Sequence, residues 1–493
     1  MKNILNHKTI WVTTLASILT ATSCTKDFDE MNTNPNAPTA IGAQYLLPTG
    51  IETAIDRYWG HRTRFERINI DAAELYVQHL TRNIYSNEGD DYTVSPALLT
   101  NNWKGFYNDS QLNFQRIIQQ TGTGSATPNT NYEGVALVMR TWVFSLLTDM
   151  YGAIPYSDAI KGTAAEAVYT PKYDAMEAIY AGMLNDLKMA NEKLTVGGPA
   201  IAGDILYSGD ILKWKKFANS LRLRLANRQA AKKPAESRAI MAEILGDAGK
   251  FPIFTSNADN AALKCTTVLP SNNEWNQILK QDGRTDWNIS KTLADKMNTL
   301  GDTRITVYAN KNKDGIYQGH PNGLPDAIAT SYLATSSTIG TAFTNADAPE
   351  VIMTFAELNF ILAEAVLDGD ITKGDAKTYF ETGLTASFAQ YGLTVPAEFL
   401  TNLGTVTREK VLEQKWVSLF AQGIEAWTEW RRTGFPVFPA PDSRAVLKND
   451  GVLPTRFNYP SSEYSLNAKE VATGETLNGG PNDMKTKLWW SEK

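Results

Sequence analysis

Residues that carry redox, metal and nucleophilic chemistry are scarce in this sequence. It has two cysteines and four histidines in 493 residues. So few cysteines cannot build a disulfide framework. If Cys24 is modified, Cys265 has no partner within the chain. No HExxH, CxxC or GxSxG pattern is present, and Gly122-x-Gly124 lacks the third glycine and the preceding strand of a dinucleotide loop. The series Asn310, Asn312, Asp314, Gly315 imitates the start of a calcium loop, but Pro321 stands where that loop needs a glutamate. A turn is expected there, and no metal site or cofactor anywhere. Cationic runs are missing too. A net charge of −6 with no arginine-rich arm excludes a nucleic-acid partner. No apolar run is long enough to span a bilayer, which takes about 20 residues.

The amino terminus reads as a targeting segment. Lys2 and Lys8 precede a short apolar stretch at 10–19, and small residues Ala21, Thr22 and Ser23 lead to Cys24. This resembles a bacterial lipoprotein signal, which is cut before a cysteine that is then lipidated. Asp27, Asp29 and Glu30 follow, resembling the surface-export signal of Bacteroidota lipoproteins. The expected division is a signal peptide at 1–23, a lipidated tether at 24–42 and one α-helical domain at 43–493. The expected location is the outer membrane, held by acyl chains on Cys24 and facing outside.

What is plentiful is helical patterning and aromatic side chains. The stretch 407–436 reads as one long helix: Leu412, Trp416, Leu419, Phe420, Trp427 and Trp430 recur at helical spacing. Thr407 can cap its start, Arg431 and Arg432 suit its end, and Gly434 with Pro436 stop it. Other helical patterns cover 43–59, 65–80, 98–119, 132–151, 173–193, 211–232, 236–245, 289–299, 350–367 and 376–391. Their lengths suit packed pairs of the tetratricopeptide type, with small residues such as Gly134, Ala178, Gly182 and Ala363 at close contacts. The fold class is therefore mainly α: a helix-pair scaffold with an irregular loop-rich face and a few short strands. The alternation TRITVY, followed by a turn at 312–315, predicts a hairpin over 303–318.

Twelve tryptophans and twenty tyrosines suit a ligand-binding face. Sugars offer flat C–H faces to rings and hydroxyls to amides and carboxylates. The stretch NIYSNEGDDY at 83–92 joins two helical patterns and mixes rings with polar forks. Tyr85, Asn87, Asp90, Asp91 and Tyr92 are its candidate contacts, with Trp275 and Trp287 added from the polar region 255–335. Glu357 and Glu364 lie two helical turns apart, a spacing open to acid–base hydrolysis. Their apolar helix argues instead for structural hydrogen bonding.

Several stretches together resemble the SusD/RagB family of Bacteroidota outer-membrane lipoproteins, closest to its RagB-like second branch. They are DMYGAIPY at 149–156, GDILYSGD at 203–210, KWKKFANSLRLR at 213–224 and FAELNFILAEA at 355–365. WRRTG at 430–434, PTRFNYPSSE at 454–463, Asn467 and NDMKTKLWW at 482–490 complete the set. Gln422, where the starch-type branch has glutamate, favours the second branch. The resemblance implies four tetratricopeptide-like helix pairs and a lid on a TonB-dependent SusC/RagA-type barrel transporter, capturing oligosaccharides or peptides without catalysis. It also aligns 85–92, by order along the chain, with a ligand-reaching loop. Two other readings remain open: a non-nutrient subunit of another outer-membrane complex for protein assembly or secretion, and a hydrolase.

Overall fold

A computed structural model describes residues 41–162 and 167–492. The signal peptide, Cys24 and most of the tether lie outside the described residues. Helices dominate, and their starts are written locally. Asn129 caps α2 (Thr130–Tyr151) and Asp210 caps α4 (Ile211–Gln229). Thr354 caps α5 (Phe355–Leu367), Asp375 caps α6 (Ala376–Ala389) and Thr407 caps α7 (Arg408–Ser418). Each of these side chains accepts a first-turn N–H that no helical carbonyl can reach. With α1 (Ala43–Trp59) and α3 (Met176–Lys193), these helices pack in sequence-adjacent pairs: α2 on α3, α3 on α4, α5 on α6. Close approach is sterically prepared. A Cβ on Gly134 would come within 2.7 Å of Leu194.

Strands are few and short. β1 (Leu80–Arg82) pairs with β5 (Trp287–Ile289), β2 (Ile154–Pro155) with β3 (Tyr173–Asp174), and β4 (Ala261–Leu263) with β6 (Glu350–Met353), all antiparallel. Residues 43–493 form one contact unit. Within it Trp59, Trp142, Trp214, Trp275, Trp427 and Trp490 are fully buried. The structure is thus mainly α, with an irregular face and a few strands, as its periodicity predicts. Among the described residues no helix is long and apolar enough to cross a membrane.

Three local expectations are corrected. First, 407–436 is two helices, α7 and α8 (Gly423–Thr433), separated by Leu419–Gln422 with Ala421 at φ +71°. The cause lies far away in sequence. Asn69, in a π-turn at Asn69–Ala73, donates to the Ala421 carbonyl at 3.0 Å and accepts from the Ile424 N–H at 3.2 Å. Gly423 is needed at this crossing, because a Cβ there would sit 2.6 Å from the Glu74 nitrogen. Most of the predicted apolar face is nevertheless buried, while Trp430 is half-buried against Phe438.

Second, no hairpin spans 303–318. Ile305–Tyr308 is a single helical turn set by Asp302, which accepts from the Arg304 N–H at 3.0 Å and holds its guanidinium. The turn at 312–315 does form, with Gly315 at φ +77°. Here a buried ion pair overrides strand propensity. Third, helix in 65–80 is confined to residues 69–76, with Phe65 and Gln78 in the left-handed region on either side. At 350–367 the first four residues are β6 rather than helix.

A buried ion network joins the helix pairs. Arg228 on α4 contacts Asp149 on α2 at 2.7 Å, and also Glu425 and Glu429 on α8. Arg224 is paired with Glu357, and Lys415 with Glu429 at 2.7 Å. Arg432 holds Glu364 at 2.8 Å. Glu357 and Glu364, the carboxylates spaced for hydrolysis, are thus both fully buried in ion pairs between helices.

Candidate ligand-binding face

The 83–92 loop leaves β1 and is stapled on all sides. Asn83 donates to the Thr285 carbonyl at 2.7 Å and to Asn288 at 2.5 Å. Asp326 accepts from the N–H of Tyr85 at 3.1 Å and from the N–H and hydroxyl of Ser86 at 2.8 Å each. Gly89, at φ +108°, brings the loop so close to the π-turn that a Cβ would lie 1.9 Å from the Asp71 carbonyl. The loop is therefore a fixed platform for whatever it displays.

It displays less than its sequence suggests. Tyr85 is 40% exposed and Asn87 is exposed. Asp90 and Asp91 are buried, which corrects the expectation that they are displayed to ligand, while Tyr92 is mostly buried yet lines the cavity beside the loop. Asp90 accepts from Thr81, from the Arg82 N–H, from Asn322 at 2.6 Å and from the Gly323 N–H at 3.0 Å. Its carboxylate ties the loop to the 320–323 segment. Asp91 closes a turn onto the Thr93 N–H at 2.8 Å. Tyr92 meets Tyr76 edge-on at 6.1 Å. Trp275 and Trp287 are corrected for the same reason. Trp275 has no exposed surface and donates to the Trp59 carbonyl at 2.7 Å. Trp287 lies in β5 with the Arg82 guanidinium 4.9 Å from its ring. Both rings are core, placed there because 255–335 is packed over the helices rather than projecting from them.

What surrounds Tyr85 was not legible from spacing. The guanidinium carbons of Arg64 and Arg284 lie 5.8 and 5.4 Å from its ring centroid. Arg64 also lies 4.9 Å from the Phe65 ring and bonds Glu88 at 2.7 Å, while Arg284 is held by Asp286. Phe65 sits at φ +64°, which folds the 62–67 segment back onto the loop. Tyr332 stacks on His320 at 5.3 Å, and Arg444 donates to its hydroxyl at 3.0 Å. A cavity of about 350 Å³, lined by Tyr92, Asn322, Pro321, Lys291, Lys296 and Pro439, opens beside the loop. The face offers an aromatic ring, guanidinium forks, amides and carboxylates on a rigid support. These groups can stack on an apolar ring face and exchange hydrogen bonds with hydroxyls. Among the described residues no cluster of His, Cys, Asp and Glu is placed to hold a metal.

The staple beneath the loop carries a pH signature. Burial pushes Asp90 up to about 6, against the hydrogen bonds from Gly323, Asn322, Arg82 and Thr81. Burial holds His320 down at about 4. Thr81 touches both. As pH falls from 6 to 4, folded Asp90 takes up a proton that the unfolded chain does not yet bind, so stability rises by about 1.4 kcal/mol per unit. Over the same window unfolded histidine protonates while folded His320 stays neutral, so stability falls at the same rate. The two effects offset each other. Asp90→Asn leaves His320 unopposed, and the variant should lose about 2–3 kcal/mol relative to wild type between pH 6 and pH 4. Urea midpoints at pH 4, 5 and 6 check this, and parallel profiles for the two proteins would contradict it.

Residues 35–460 match a family model described as SusD-like, starch-binding and associating with the outer membrane. The chain belongs to the SusD-like family. Solved structures agree with that placement. A chitin-binding protein is 28% identical, with a TM-score of 0.79 over 92% of this chain and 100% of its own. A chitin-binding SusD homolog from Flavobacterium johnsoniae is 23% identical, with a TM-score of 0.78 over 90% and 98%. A SusD homolog from Bacteroides uniformis is 24% identical, with a TM-score of 0.79 over 91% and 100%. No curated protein matches the chain. The SusD-like fold accounts for the helix pairs and for the irregular face laid over them.

Proposed function

We propose that this SusD-like chain is a surface-exposed nutrient-binding lipoprotein, tethered through Cys24, that works as the lid of a TonB-dependent SusC-type transporter and captures oligosaccharides for uptake. The observation that carries the ligand reading is the Tyr85 platform: an exposed ring with Arg64 and Arg284 against it, on a loop braced by Asp326 and Asp90. A rigid aromatic anchor loses little conformational entropy on binding, and guanidinium and amide groups around it supply directional contacts. The polar, aromatic character of the face suits a saccharide, and the burial of Glu357 and Glu364 in ion pairs speaks against hydrolysis by that pair. A 28% identical relative described as chitin-binding makes N-acetylated oligosaccharides the first choice of ligand. The lipobox-like cysteine supports the tether and the family supports the outer membrane.

Calorimetric titration of the mature protein with chitooligosaccharides, maltooligosaccharides and peptides tests the ligand. Saturable binding of one glycan series is expected. Binding of peptides alone would replace the saccharide reading. Gentle detergent extraction of the native protein should bring a large β-barrel with it, and repeated recovery of the protein alone would remove the lid role.

A further inference from the structure

A second cavity, of about 360 Å³, opens at the break between α7 and α8 and shares no lining residue with the cavity beside the loop face. Trp59, Phe343, Tyr391 and Phe420 are its aromatic walls, Val307, Ala342, Pro349 and Val351 its aliphatic ones, and no charged residue lines it. The rings brace one another along one side of the cavity: Phe343 meets Phe420 at 4.8 Å and 76°, and Tyr391 at 5.6 Å and 50°. Trp59 has spent its indole N–H on the Val351 carbonyl at 2.9 Å, so it contributes only apolar surface. Gln390 reaches the Tyr391 hydroxyl at 3.4 Å.

Gln422 is the exception in this apolar setting. It is 3% exposed and lines the cavity, and its Oε1 is buried with no hydrogen-bond partner among the described residues. Buried polar groups are almost always paired, because an unmade hydrogen bond forfeits the full cost of desolvation. The backbone on either side of Gln422 is fixed by the left-handed Ala421 and by the Asn69 clamp, which places its Cβ at the cavity. Pockets of this size with convergent polar groups in apolar walls are the usual form of a small-molecule site.

We propose that this cavity is a second binding site, for an uncharged aromatic molecule carrying one hydroxyl or N–H group, of the phenol or indole class. The ring packs among Phe343, Tyr391 and Phe420, and the polar group pairs with the Gln422 carboxamide, which both donates and accepts. A charged ligand is disfavoured because nothing in the lining neutralises it. A sugar ring is disfavoured because its several hydroxyls would find too few partners.

Titration of the mature protein with p-cresol and with p-xylene, which replaces the hydroxyl by a methyl group, tests this directly. p-Cresol should bind saturably and about tenfold more tightly than p-xylene. Gln422→Met should bring p-cresol down to the p-xylene level while leaving p-xylene unchanged. Ala342→Phe, at a half-buried lining position, should abolish binding of both, and Tyr85→Ala should affect neither. Equal affinities in the wild-type protein, a p-cresol preference that survives Gln422→Met, or binding that survives Ala342→Phe would each overturn the proposal. The wild-type comparison and the Ala342 variant stand even if Gln422→Met fails to fold.

Discussion

Replacing Arg228 with methionine should destabilise the protein by about 3–5 kcal/mol, because it strands buried carboxylates rather than merely removing a contact. The Arg228 guanidinium is 1% exposed and bridges Asp149 at 2.7 Å to Glu425, with Glu429 3.5 Å away. Burial pushes Asp149 up, and Arg228 is the main group drawing it back. Without that cation Asp149 rises further. A carboxyl whose pKa is higher folded than unfolded costs stability above its folded pKa and returns it as pH falls toward the unfolded value. The deficit should therefore be largest at pH 7 and shrink at pH 5. Urea denaturation at both values measures it. A loss below about 1 kcal/mol, typical of an exposed pair, would mean that water reaches the network.

The second large effect is on binding. Tyr85→Ala should weaken glycan affinity by about 1–3 kcal/mol, the usual cost of truncating a central aromatic anchor, and leave the melting temperature unchanged. A ring already 40% exposed has little stability to lose. Tyr92→Ala and Trp275→Ala should behave oppositely. Both rings are buried, and truncating the larger one costs about 3–5 kcal/mol of stability. Unchanged glycan affinity in a well-folded Tyr85→Ala protein would place the ligand elsewhere on the face, with Tyr332 and the cavity lined by Lys291 and Lys296 next in line.

The scaffold was legible because its signals are local. A cap such as Thr407 and the periodic apolar residues of each helix act within a few positions. What escaped depends on distant partners. Gly423 is a local hint of a break near Ala421, but the clamp that fixes it comes from Asn69, more than three hundred residues away. The strand-like TRITVY gives way to a local Asp302–Arg304 pair, held in the core where Arg304 also reaches Gln414, 110 positions on. The candidate site divides along the same line. Loop 83–92 was found from its composition, but composition does not tell a ring that anchors the loop, like Tyr92, from one that projects, like Tyr85. Arg64 joins the face through a backbone reversal at Phe65 that no spacing rule predicts.

The buried ion network also has a consequence for how the chain comes into being. Asp149 meets Arg228, 79 positions later, and Trp490, 341 positions later, whose indole N–H donates to it at 2.9 Å. During synthesis Arg228 follows Asp149 closely and Trp490 comes much later, with Glu425 and Glu429 between. At intermediate lengths Arg228 can meet Asp149 alone, and the network closes only when Glu425 and Glu429 have followed it. The network thus ties residues made early to residues made some two hundred positions after Arg228, so an early piece of the chain carries only part of its own buried charge balance.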